Sequence, residues 1–159
     1  SVEAPLPPKA VAKSSAVEGI HKQVTETIKE GWVLLTWWEK VEGIGCFYKP
    51  TVLEVKPWMT TFEEETFGPV ASIIKARDFE EAVILANDSK YWLWASVFSN
   101  DENELNYAIS NIETWNIAIN SVVTSYANLP YGWIKESWFG KELWEKWVKA
   151  FVNEKVVIY

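Results

Sequence analysis

The chain has 159 residues, of which 48% are hydrophobic and 23% charged, and its formal net charge is −7. That length is enough for a buried core, and the acidic balance disfavours a phosphate backbone, so no nucleic-acid partner is expected. No apolar run reaches the ~20 residues of a membrane span, so no membrane partner is expected either.

Residues 1–14 are Pro-rich and polar and read as an extended lead-in, without the apolar core of a signal peptide. They do not open on Met, so the chain is expected to be a fragment or a processed product. Val17, Ile20, Val24 and Ile28 fall three, four and four apart, which predicts an amphipathic helix over 15–30. Ser14 or Ser15 is placed to cap it, and Gly31 to end it. "VLLT" (33–36) predicts a strand. "FYKPTVLEV" (47–55) predicts another, with Pro50 forcing an edge or a bend. "VASII" (70–74) has the composition of a buried strand.

Phe79, Ala82, Val83 and Ala86 predict a helix over 77–89 with Asp78 as N-cap. A turn over 90–94 leads into a strand at 93–98. Leu105, Ala108, Ile109 and Ile112 predict a helix over 100–113, followed by a strand at 116–120, a loop over 121–140, a helix over 141–151 and a closing strand in "EKVVIY". Strands alternating with helices of this length predict an α/β fold with a mostly parallel sheet and flanking helices.

Few side chains here could carry chemistry. His21 falls on the polar side of its helix and is expected to be solvated. Cys46 has no basic neighbour in sequence and reads as a structural thiol. It cannot form an internal disulfide, which suits a reducing cytoplasm. Glu63, Glu64 and Glu65 form an acidic run that is either solvated or a site. No Cys/His cluster predicts a metal centre.

Longer phrases say more. "EEETFGPVASIIKARDFEEAVILANDSKYWLWASVFSND" (63–101), "LPYGWIKESWFGKEL" (129–143), "FYKPTVL" (47–53) and "FVNEKVVIY" (151–159) resemble, in order, motifs of the aldehyde dehydrogenase superfamily. The resemblance runs from about residue 15 to the end and reads most like the succinate-semialdehyde branch. It implies a partial catalytic domain over 15–152, the C-terminal part of such an enzyme, with an oligomerisation-type strand over 153–159 that would make a homo-oligomer. The family's nucleophilic Cys, general-base Glu and dinucleotide domain lie N-terminal to the matched region, and Cys46 is not in the nucleophile motif.

The resemblance carries two positions over. Glu65 of "ETFGP" corresponds to the carboxylate that binds the nicotinamide ribose hydroxyls, and Phe67 to the aromatic beside the nicotinamide ring. Residues 121–131 correspond to the segment lining the aldehyde entry, with Tyr131 where Phe is usual and Lys141 where Arg is usual. The implied cofactor of the parent is NAD or NADP, with none expected on this chain alone. The alternative is a non-catalytic dehydrogenase-like interaction domain.

Eleven Trp against seven Gly inverts ordinary usage. Against the family pattern, Trp37, Trp38, Trp92, Trp94, Trp115, Trp133, Trp138, Trp144 and Trp147 stand where Gly is expected, and Trp32 and Trp58 fit less closely. The expectation is that these codons are UGA and that the source reads them as glycine. If the indoles are real, displaced turns are expected at 37–38, 92–94 and 133–138.

Overall fold

A computed structural model describes residues 7–31, 33–35, 40–41, 43, 45–132, 134–137, 141–143, 149, 151–153 and 155–158. It forms two compact units, Ser1–Ala76 and Arg77–Tyr159.

In the first unit, β1 (Lys9–Ala10) leads to helix α1 (Ser14–Lys29). The predicted stripe is the one that packs: Val17, Ile20 and Val24 join Tyr48, Leu53, Val55 and Met59 in a core, with Ile28 partly buried against it. Removing a buried group such as Leu53, which is 0% exposed, would cost ~2–5 kcal/mol. The cap differs from expectation. Lys13 takes the N-cap position with no side-chain cap bond, and Ser14 is already helical. Gly31, at φ +91°, ends the helix as expected, in a conformation that costs Gly little.

Pro50 separates β3 (Phe47–Tyr48) from β4 (Thr51–Glu54), the division expected of a residue that cannot donate to a ladder. β4 sits between β2 (Val33–Leu34), antiparallel to it, and β5 (Val70–Ile73), parallel to it in the register Leu53↔Ser72. The crossover from β4 to β5 contains a short helix, α2 (Thr60–Glu63). The buried strand expected over 70–74 is only partly so: Val70 and Ile74 pack, partly buried, against the core, while Ala71, Ser72 and Ile73 are exposed, β5 forming one edge of this small sheet.

The second unit begins with α3 (Phe79–Asn87). Asp78 caps it as expected, accepting the Glu81 N–H at 2.8 Å, while the Glu81 carboxylate accepts the Arg77 N–H at 2.5 Å. β6 (Tyr91–Trp92) and β7 (Trp94–Val97) follow, then α4 (Glu102–Asn111), capped by Asp101. β8 (Asn116–Ile119) lies parallel to β7 over four residues, so β7–α4–β8 is a crossover unit. β9 (Tyr131–Gly132) pairs with β11 (Lys141–Glu142), and β10 (Ile134–Lys135) with β6, both antiparallel.

The architecture is α/β, but the pairing is mixed rather than mostly parallel. The two pairings of four residues are parallel, each spanned by a helical crossover, and the two-residue pairings are antiparallel. The predicted helix over 141–151 begins instead as β11, and residues 144–148 and 150 lie outside the described residues. Residues 155–158 are not in a strand and have no ladder partner among the described residues.

Candidate functional site

The acidic run lies on an arm, residues 60–68, that crosses α1. Its first part is tied down by side chains from the C-terminal half of that helix. The Thr60 N–H and hydroxyl each donate to the Glu30 carboxylate at 2.9 Å. The Thr61 N–H donates to the buried Thr27 hydroxyl at 3.0 Å, and that hydroxyl donates to Thr61 Oγ1 at 3.2 Å. One turn back, the Gln23 amide donates to the Glu64 carboxylate at 2.9 Å and to the Glu65 carbonyl at 3.3 Å.

At the far end of the arm Gly68 passes close to α1: a Cβ there would lie 2.3 Å from Ile20 Cδ1, so any larger residue would have to displace the buried Ile20 side chain. The Gly68 N–H donates to the Thr66 carbonyl and the Val70 N–H to the Gly68 carbonyl, each at 2.8 Å, folding the chain tightly into β5.

Between these ties the arm holds both sequence-predicted site residues. Glu65 is exposed, and Phe67 is 79% exposed. With Ala16, Gly19 and Gln23 they line an open groove of about 270 Å³ along α1. A carboxylate there can accept two hydroxyl donors at once, and the Phe67 face is open to a planar ring. The residues present therefore fit a ribose and its attached base in kind.

The second segment, 121–131, starts from a clamp. Asn120, at φ +49°, accepts the Ser99 N–H and donates to the Ser99 carbonyl, both at 3.0 Å. This joins the C-terminal ends of β7 and β8. Beyond it, Thr124, Ser125, Tyr126 and Tyr131 help to line a cavity of about 200 Å³. The Tyr131 ring meets Trp94 edge-on at 5.6 Å. Burial first, and then the Glu142 carboxylate, raise the Tyr131 hydroxyl above its ordinary value.

His21 departs from expectation. It is half-buried, its Nδ1 lies 3.3 Å from the Tyr48 hydroxyl, and the two rings meet edge-on. Cys46 is half-buried, as a structural thiol would be. Among the described residues no group of three or more His, Cys, Asp or Glu side chains is arranged to hold a metal.

Four tryptophans are described, and they correct the displaced turn expected at 92–94. Trp92 and Trp94 are in strands β6 and β7, whose extended backbone a β-favouring indole accepts. Trp58 does stand in the left-handed region, at φ +81° and 65% exposed. The Trp92 indole N–H is buried with no hydrogen-bond partner among the described residues. Trp115 packs its indole onto Gly132, where a Cβ would come within 2.9 Å of the ring. The expected turn at 37–38 lies outside the described residues, as do positions 133 and 138 of the one expected at 133–138, within which Ile134–Lys135 form β10.

Sequence reasoning missed Gln23, Thr27, Glu30 and Asn120. The first three carry a legible signal, polar groups at helical spacing along one edge of an apolar stripe.

Comparison with known proteins decides the family. The model of the aldehyde dehydrogenase family matches residues 9–157. The chain belongs to the aldehyde dehydrogenase family. Among relatives, it is 40% identical over 148 residues to the succinate semialdehyde dehydrogenase [NAD(P)+] Sad of Escherichia coli K12, a match covering 92% of this chain and 32% of that protein. It is 37% identical to a succinate-semialdehyde dehydrogenase [NADP(+)] of Deinococcus radiodurans, covering 92% of this chain and 31% of the relative. Among solved structures, succinic semialdehyde dehydrogenase of Streptococcus pyogenes in complex with NADP+ superposes with TM-score 0.86 at 32% identity, covering 100% of this chain and 35% of that one. This aldehyde dehydrogenase chain thus spans about a third of the length of the relatives it matches.

Proposed function

We propose that this chain is the C-terminal part of an NAD(P)-dependent aldehyde dehydrogenase of the succinate-semialdehyde branch, and that it is inactive alone. The observation that carries this reading is the arm on α1, which presents the Glu65 carboxylate and the Phe67 ring together on one open groove in a chain about a third the length of its relatives. In the parent enzyme a bound nicotinamide cofactor would accept the hydride. This chain's part is to hold the ribose through Glu65, to offer Phe67 to the ring face, and to line the aldehyde entry with residues 121–131. The nucleophilic thiol and the general base come from the rest of the enzyme.

The reading includes a cytoplasmic protein, in keeping with a single cysteine and no disulfide. Among the described residues no helix is long and apolar enough to cross a membrane. It also includes a homo-oligomer formed through residues 153–159. Val156 and Ile158 are 84% and 90% exposed there, on a segment with no ladder partner among the described residues. The test is to express the whole gene and follow NADH or NADPH formation with succinate semialdehyde. If the open frame holds this chain alone, with no upstream Cys motif, the non-catalytic interaction domain replaces the enzyme reading.

We infer further that the Trp positions are glycine in the native protein. Trp58 at positive φ and the orphaned Trp92 N–H each support this, because each is a cost that glycine would remove. The extended backbone at Trp92 and Trp94 gives no such support.

A further inference from the structure

Three α1 residues and the helix's C-cap, Glu30, touch the 60–68 arm, and they lie on one stripe. Ile20, Gln23, Thr27 and Glu30 are spaced three, four and three apart, so they fall on one face over three turns. Ile20 meets Gly68, Gln23 meets Glu64 and Glu65, Thr27 meets Thr61, and Glu30 meets Thr60. Ile20 and Thr27 are buried and hold the fold together. Glu30 is exposed and acts at the start of the arm, four residues before Glu64. Gln23 is the member that touches the backbone of Glu65 itself.

We propose that Gln23 is a positioning residue for the cofactor-ribose carboxylate. This rests on the reading of Glu65 given above. Both of its bonds leave one nitrogen, Nε2, which has two hydrogens to give. One goes to the Glu64 carboxylate and turns that charge back onto α1. The other goes to the Glu65 carbonyl and fixes the peptide from which the Glu65 side chain departs. With both hydrogens committed, the amide has none left for the Glu65 carboxylate, which stays available to accept two ribose hydroxyls. A lysine at this position would bring a full cation, which can swing to the Glu65 carboxylate and compete with the ribose. A neutral amide orders the arm without that competition.

The test uses the full-length enzyme and measures the dissociation constant of NADPH and NADH by fluorescence titration, with no aldehyde present. The variants are Glu65→Gln, Gln23→Ala, Gln23→Met and Gln23→Glu. Loss of the neutral hydrogen bond to the Glu65 carbonyl predicts about 3- to 10-fold weaker cofactor binding in Gln23→Ala and Gln23→Met. Gln23→Glu, with the same shape, no donor and a like charge facing Glu64, should be weaker still. The KM for aldehyde at saturating cofactor should stay unchanged, and combining Gln23→Ala with Glu65→Gln should add little to Glu65→Gln alone. If Glu65→Gln binds cofactor like the wild type, the underlying reading falls. If Glu65→Gln weakens binding while both Gln23→Met and Gln23→Glu bind normally, the Gln23 proposal falls and the Glu65 reading stands. Equal losses in cofactor affinity, aldehyde KM and thermal midpoint would make Gln23 merely structural and overturn the proposal.

Discussion

Thr27 and Thr61 are joined twice: the Thr27 hydroxyl accepts the Thr61 N–H at 3.0 Å and donates to the Thr61 hydroxyl at 3.2 Å, with both residues buried. Replacing Thr27 by Val keeps the shape and leaves a buried N–H unpaired. The expected cost is ~1–3 kcal/mol, read as a lower urea midpoint with an unchanged slope. Thr27→Ser keeps the hydroxyl and should lose less.

Asn120 predicts a different pattern. Its left-handed backbone and its two bonds to Ser99 are separate contributions. Asn120→Gly loses the bonds but relieves the backbone, whereas Asn120→Ala loses the bonds and keeps the strain. Ala should therefore be the less stable of the two, by about 1 kcal/mol. Equal midpoints would remove strain from the account.

The His21–Tyr48 pair gives stability two pH edges. Burial pushes the Tyr48 hydroxyl up to about 12, against ~10 when unfolded. The folded state therefore keeps this proton longer, and stability present below pH ~10 is lost as the pH rises through the folded value. Tyr48→Phe should flatten that alkaline decline in urea midpoints. His21 is lowered by burial first, with Lys40 adding and Glu18 opposing. The unfolded state then takes up its proton first, so this contribution is present above pH ~6.5 and lost as the pH falls. His21→Gln should flatten the acid side.

The glycine reading is settled by mass. Trypsin cleavage after Lys90 and Lys135 releases 91–135, which contains Trp92, Trp94, Trp115 and Trp133. The native peptide is expected to be lighter than the printed sequence by four Trp-to-Gly differences, with no indole absorbance. A peptide of full mass would mean the tryptophans are real.

Local rules made much of the fold legible. The α1 stripe, the Asp78 cap, the Pro50 break and the Gly31 stop each follow from residue chemistry over a few positions. The misses were decided by contacts distant in sequence. β5 has the composition of a buried strand but is exposed over 71–73, because composition does not say that the strand lies at a sheet edge. His21 looked solvated because Tyr48, 27 residues away, is invisible to helical periodicity. Glu65 and Phe67 could be singled out through the resemblance. The ties that hold their arm to α1 span 30 to 42 residues and emerged with the fold.

The central claim is that this chain supplies the cofactor-ribose carboxylate to an aldehyde dehydrogenase that it cannot form alone. The most direct test compares NAD(P)H formation from succinate semialdehyde by the whole gene product, its Glu65→Gln variant and the isolated 159-residue chain. The account predicts turnover by the whole product, a loss of roughly 10²-fold in Glu65→Gln from poor cofactor orientation, and none by the isolated chain. Turnover by the isolated chain, or a Glu65→Gln enzyme with unchanged kinetics, would contradict it.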